Sequence, residues 1–193
     1  MAQNKKDSII KMVVVLTLTC IISGVCLSYT YNKTKDVIAD AELHAKLKSV
    51  RNVLPAFDGD PEQRTVIING EEKTFYIGKK EGHVVGIAAS SSALGYGGTL
   101  HILVGIDPEG TITGVELLQH KETPGLGAKA ESPRFLDQFK RKFLTSVDDT
   151  IQVKKDGGDI DSITAATITS RAIAEAATEA LREFIKYKDE VVS

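Results

Sequence analysis

Residues 12–31 constrain this chain more than any other stretch. They read MVVVLTLTCIISGVCLSYTY and carry no charged side chain. A helix crossing the hydrocarbon core of a bilayer needs about 20 mainly apolar residues, with every backbone polar group satisfied inside the segment. The run is just long enough, so one membrane-spanning helix is expected. Tyr29 and Tyr31 stand at its far end, where amphipathic rings favour the interface. Lys5, Lys6 and Lys11 precede it, opposed only by Asp7. Positive charge resists translocation, so the tail (residues 1–11) is expected in the cytoplasm and the body outside it. Lys33 and Lys35 follow closely and weaken that asymmetry. A cleaved signal peptide is the competing reading, but the apolar run is long for one and residues 28–31 offer no A-x-A-like site. A lipid on Cys26 is disfavoured by Val25, which stands where a small residue is expected.

The 193 residues leave room for one globular domain beyond the span, since a domain usually takes about 100–200. A formal net charge of −2 provides no basic footprint, so no nucleic-acid partner is expected. Both cysteines, Cys20 and Cys26, lie in the apolar run, and the body therefore has no disulfide framework. His44, His83, His101 and His120 show no metal-ligand spacing, so no metal site is indicated, and with no G-x-S-x-G elbow nothing points to a catalytic triad.

Residues 33–55 are expected to form a juxtamembrane helix, because Leu43, Leu47, Val50 and Leu54 recur at helical steps and Pro55 ends the pattern. Residues 56–193 form the domain. Five β-like runs, 65–69, 73–79, 83–90, 99–107 and 111–119, are separated by the turn signals Asn69-Gly70, Glu81-Gly82 and Pro108-Glu109-Gly110. A helix is expected over 132–144, with Ser132 as N-cap, Pro133 in the first turn, and Phe135, Leu136, Phe139 and Phe143 as its stripe. A short strand is expected over 150–154. A last helix is expected over 170–188, burying Ile173, Ala177, Ala180, Leu181 and Phe184. Strands in series and helices in series indicate an α+β fold: an antiparallel sheet flanked by helices, preceded by one N-terminal transmembrane helix.

Three stretches could carry chemistry. Gly95-Tyr96-Gly97-Gly98 is either a flexible turn or a place where backbone approaches a ligand closely. Residues 120–129, HKETPGLGAK, leave a strand with Pro124, Gly125 and Gly127 close together. They form either a plain connection or a loop of little bulk that packs on a flat ring. Residues 161–171, DSITAATITSR, crowd hydroxyls just ahead of a helix expected to begin near Ser170. One hydroxyl would suffice as a cap. The alternative is a phosphorylated ligand held at the helix start, whose open N–H groups and partial positive charge favour anions.

The run Thr164-Ala165-Ala166-Thr167-Ile168-Thr169-Ser170 resembles the S-G-A-T-x-T-S signature of the covalent FMN-binding domain, with Thr164 in place of Ser and Ala165 in place of Gly. That domain occurs in the G subunit of the Rnf electron transport complex and in the C subunit of the sodium-translocating NADH:quinone reductase. Residues 122–127, ETPGLG, match the family's second hallmark, and the glycine–tyrosine turn with its strand is similar to the remaining wall of the flavin pocket. The order of these motifs behind one anchor, and the chain's length, favour the Rnf subunit.

The resemblance implies FMN attached by a phosphoester to Thr167, placed there from FAD by a flavin transferase. It implies further cofactor contacts from Thr164, Ala165, Ala166, Ile168, Thr169, Ser170, Glu122, Thr123, Gly125, Leu126 and Gly127, and from Lys129, Tyr96 and Gly97. It implies a subunit of the inner membrane, single-pass, with its flavin domain extracytoplasmic, its span in lipid, and the other Rnf subunits as partners. That complex would pass electrons between ferredoxin and NAD and move sodium or protons, and this subunit would have no complete turnover alone. The quinone-reductase subunit, or an anchored binding domain without redox function, are the alternatives.

Overall fold

In the computed structural model, residues 2–68 and 70–192 are described. The chain divides into two compact units, Met1–Ala45 and Lys46–Ser193. The first helix, α1, runs over Ala2–Val53. The expected juxtamembrane helix is thus no separate element. Neither Gly nor Pro occurs between Asn32 and Leu54, so nothing interrupts the hydrogen-bond ladder.

Within the first unit the apolar residues Val13, Leu16, Leu18, Ile21, Ile22, Val25 and Leu27 are all exposed. The helix is apolar on every side and reaches a mean hydropathy of 2.2, long and apolar enough to cross a membrane. Its hydroxyls turn inward. Thr17 donates to the Val13 carbonyl (2.9 Å), Thr19 to Val15 (3.0 Å) and Thr30 to Cys26 (2.9 Å). Polar atoms in this stretch are therefore compatible with hydrocarbon surroundings.

The second unit is built on a five-stranded antiparallel meander, β1 (Glu62–Ile68), β2 (Glu71–Lys80), β3 (His83–Leu94), β4 (Thr99–Ile106) and β5 (Ile112–Gln119), in spatial order β1-β2-β3-β4-β5. Short turns set the registers. Glu81 (φ 51°) and Gly82 (φ 80°) link Lys80 to His83 as a two-residue turn with both φ positive, which matches strand twist. Asp107 accepts from the Thr111 N–H (2.7 Å) and the Glu109 N–H (3.1 Å) to close the next turn. Asn69 of the first turn lies outside the described residues.

Alternation along the strands gives the sheet two apolar faces. Phe75, Ile77, Ile102, Val104 and Ile106 enter the main core beneath α3 (Thr167–Val192), together with Ile173, Ala177, Ala180, Leu181 and Phe184. Tyr76, Ala88 and Leu103 face the other way and are covered by Val50, Val53 and Leu54. That contact is close. A Cβ on Gly105 would come within 2.7 Å of the Val53 carbonyl carbon, and the Thr113 hydroxyl donates to the Val53 carbonyl (2.6 Å).

Two expected elements are corrected. The helix over 132–144 shrinks to α2 (Pro133–Leu136) and one 3-10 turn, Asp137–Phe139. Ser132 stands at its N-cap but makes no side-chain cap bond. The chain turns at Arg141 (φ 67°) because its backbone pairs with the sheet: the Arg141 N–H donates to the Ile112 carbonyl and the Ile112 N–H to Lys142, both at 2.8 Å. Phe143 consequently leaves the stripe and is exposed, while Phe135, Leu136 and Phe139 stay buried. The strand over 150–154 reduces to one bridge, Val153 with Ile160. The Ile151 N–H is taken by the Thr178 hydroxyl (3.0 Å), which leaves it unavailable to a ladder.

Candidate functional site

The start of α3 explains the crowded hydroxyls. The helix begins at Thr167, three residues earlier than expected, and the residue before it is Ala166. The Ala166 carbonyl accepts the Ser170 N–H (3.0 Å) and also the Ser170 hydroxyl (3.0 Å). The same Ser170 oxygen accepts the Ile163 N–H (3.0 Å). The Thr169 hydroxyl, fully buried, donates to Glu122 Oε2 (2.7 Å). Thr167 Oγ1 accepts from the Lys155 ammonium (2.9 Å). None of these three hydroxyls caps the helix; each is committed elsewhere. Among the described residues, no partner is found for the N–H groups of Thr167, Ile168 and Thr169. An uncapped start of this kind attracts anionic oxygen.

Ala165 makes the turn into the helix with φ 62°. A left-handed conformation costs a non-glycine residue roughly 1–2 kcal/mol. Glycine avoids that cost but loses about 0.5–1 kcal/mol through its freer unfolded chain. Ala165→Gly is therefore expected to stabilise the domain by about 0.5–1 kcal/mol, read as a higher urea midpoint at constant m-value. A lower midpoint would show that this turn holds its shape without strain.

Beside the helix start is a cavity of about 580 Å³, within the range that takes small cofactors. One wall is Ala165, Ala166, Thr167, Ile168 and Thr169; the other is Glu122, Thr123, Leu126 and Gly127, with Tyr96 at the edge. The two walls are tied by Glu122, only 6% exposed, which accepts the Gly97 N–H (3.1 Å) as well as the Thr169 hydroxyl. Glycines make room for that carboxylate. A Cβ on Gly127 would fall 2.8 Å from Glu122 Cβ, and one on Gly97 would fall 2.6 Å from the Lys121 carbonyl carbon. Gly125 bends the loop at φ 79° without lining the cavity.

Ten of the fifteen expected site residues thus share one cavity. Gly97 and Ser170 support it from behind, and Gly125 shapes its loop. Thr164 and Lys129 line a neighbouring cavity of about 430 Å³ instead, because the turn at Ala165 directs Thr164 away. Lys155 was not expected. It lies twelve residues before Thr167 and is brought back by the turn enclosed by the Val153–Ile160 bridge, where Gly157 adopts φ 94°. The Gly157-Gly158 pair is the sequence signal for that turn, though not for the contact it makes.

The turn carrying Lys155 is fastened to α3 by Asp156, which accepts from Arg171 Nε and Nη2 at 2.6 Å each. These bonds hold the Asp156 carboxyl below the usual Asp range and raise Arg171 in return. A depressed folded-state value means stability that is present above the unfolded value, about 3.9, and lost as pH falls through the folded one. The stability gap between wild type and Asp156→Asn is expected to be constant above about pH 5 and to close below about pH 4. Urea midpoints across that range measure it; a gap indifferent to acid would mean that the pair does not form.

A family model described as the FMN-binding domain matches residues 95–182, which contain all three stretches. The G subunit of the proton-translocating ferredoxin:NAD(+) oxidoreductase complex from Clostridium ljungdahlii is 33% identical over 187 residues, 95% of this chain and 96% of its own length. The chain belongs to the Rnf G-subunit family. A second member, the G subunit of the ion-translocating oxidoreductase complex of Aliivibrio fischeri, is 32% identical over 95% of this chain and 93% of its own. The crystal structure of the C subunit of Na(+)-translocating NADH-quinone reductase from Parabacteroides distasonis superposes with a TM-score of 0.54 at 22% identity, covering 71% of this chain and 79% of that one. It shares the fold expected for the G-subunit family: an antiparallel sheet with helices.

The cavity suits FMN on its own features. Its helix start offers free N–H donors to a phosphate, and its volume of about 580 Å³ has room for a flat ring.

Proposed function

We propose that this chain is an electron-transfer subunit of a membrane-bound, ion-translocating ferredoxin:NAD oxidoreductase, and that it carries FMN on Thr167 through a phosphoester. The observation that carries this reading is the Thr167 hydroxyl itself. It stands at an uncapped helix start on the wall of a cavity faced by the ETPGLG loop. Family membership supplies the setting: the relatives are named as members of complexes that couple such redox chemistry to ion movement.

When bound, FMN supplies one- and two-electron redox chemistry. The chain's residues would hold and shield it. The N–H groups of Thr167, Ile168 and Thr169 would face phosphate oxygens. Leu126 (43% exposed), Ile168 (50%) and Tyr96 (72%) form an apolar rim that would cover the ring's edges and exclude water. Glu122 would keep the two walls at fixed separation. A tether also prevents loss of the cofactor outside the membrane and keeps it at high effective concentration in its cavity. With the apolar part of α1 in the bilayer and the domain on its outer side, the flavin would pass electrons between neighbouring subunits of the complex. Protons or sodium ions would be moved by the assembly.

Flavin fluorescence in a denaturing gel tests the reading. The full chain, produced together with a flavin transferase, is expected to give a fluorescent band and an added mass of one FMN less one water. A dark band at unmodified mass would overturn it.

A further inference from the structure

We infer that Lys155 is the charge-neutralising residue of flavin attachment: its ammonium faces the phosphoryl group as that group joins Thr167, and remains its counter-ion afterwards. The inference rests on the reading that Thr167 carries the flavin.

Lys155 Nζ lies 2.9 Å from Thr167 Oγ1, and any group bonded to that oxygen comes within a few ångström of the ammonium. The lysine forms no close ion pair among the described residues. It is exposed, and the other charges beside it are already paired, Asp156 with Arg171 and Lys154 with Asp161 (2.8 Å). The backbone beneath it is fixed. Val153 and Ile160 are buried and bridged, the Gly157 N–H donates to the Lys154 carbonyl (3.2 Å), and the Arg171 clamp joins the turn to α3. Lys155 also acts through space on the Asp156 carboxylate, but that carboxylate accepts its hydrogen bonds from Arg171, so the ammonium is presented at the attachment oxygen.

A phosphodiester carries one negative charge. In the transfer, Thr167 Oγ1 bonds to the flavin-side phosphorus of FAD, and the bond from that phosphorus to the bridging pyrophosphate oxygen breaks. AMP leaves with that oxygen, and the hydroxyl proton passes to a base of the transferase. No electrons change hands. Negative charge gathers on the phosphoryl oxygens during this step, and Lys155 faces them together with the open N–H groups of the helix start. The Lys155 contact also fixes the Thr167 side chain with its oxygen beside the helix end.

The test follows the initial rate at which purified full-length chain, incubated with transferase, magnesium and FAD, gains in-gel flavin fluorescence. Lys155→Met is expected to slow the rate about tenfold at low ionic strength, the lower end for a contact with a charged group at an exposed position. The difference should narrow as salt screens the ammonium in wild type. Lys155→Arg should restore most of the rate, and Thr167→Ala should give none. Lys155→Met labelled as fast as wild type at low salt would overturn the inference and leave the attachment reading intact. So would a loss equal at every salt concentration and shared by Lys155→Arg, which would mark a structural role. A wild-type chain that never gains fluorescence would overturn both. Lys155→Gln, read alongside, guards against any folding defect peculiar to methionine at an exposed site.

Discussion

Thr167→Ala is expected to abolish covalent flavin completely, while Thr167→Ser keeps it. The nearby hydroxyls cannot take over. Thr169 is fully buried with its proton given to Glu122, and Ser170 is fully buried between the Ala166 carbonyl and the Ile163 N–H. Thr164 opens onto the neighbouring cavity. Folding should hardly change. Position 167 is half-buried at the first turn of α3, alanine is a good helix former, and the lost contact to Lys155 is a single surface hydrogen bond. The stability difference should lie within about 0.5 kcal/mol. Complete loss of fluorescence without loss of stability separates attachment chemistry from scaffold damage. Fluorescence and added mass persisting in Thr167→Ala would place the flavin elsewhere or show that it binds another group.

The parts of this protein that were legible in its sequence are those governed by local pattern. The helical stripe Ile173, Ala177, Ala180, Leu181 and Phe184 is buried to the last residue, because a 3.6-residue period over 26 residues admits one register. The five strands appear with their turns because Glu81-Gly82 and residues 107–110 force reversals irrespective of what packs on them. What the sequence did not disclose depends on distant partners. The run over 140–144 keeps its helical apolar spacing, yet Ile112 captures its backbone. The helix start moved from Ser170 to Thr167 because Ser170 and Thr169, which read as caps, have non-local or backward partners. Two walls of the site could be named from motifs, but the link between them joins Glu122 to Thr169 across 47 residues and to Gly97 across 25, and has no local signature. Lys155 reaches Thr167 only after a glycine turn and a two-bond bridge have formed.

That link through Glu122 has the largest expected effect on stability. Its carboxylate is buried and accepts from two donors, the Gly97 N–H and the Thr169 hydroxyl. Its own N–H donates to His120 Nδ1 (3.1 Å), so the residue is fixed at both ends. Glu122→Ala leaves the buried Thr169 hydroxyl without an acceptor, while water can replace the carboxylate at the exposed Gly97 N–H, so the domain should lose about 1–3 kcal/mol. Glu122→Gln should lose only about 1 kcal/mol, the charge-assisted part of the bonds. Its amide oxygen can take the Gly97 N–H, and its amide nitrogen can donate to Thr169, whose hydroxyl is able to turn and accept. Gly97 has no such freedom, so the amide must settle in that one orientation. Glu122→Asp should behave more like Ala than like Gln, because the shortened chain cannot span both donors. Urea unfolding of the three variants measures the order, and flavin attachment should follow it, since the loop and the helix start are apposed through this side chain. Equal midpoints for Glu122→Ala and wild type would mean that the two walls are held by apolar packing alone, and the cavity's dimensions would then owe nothing to the carboxylate.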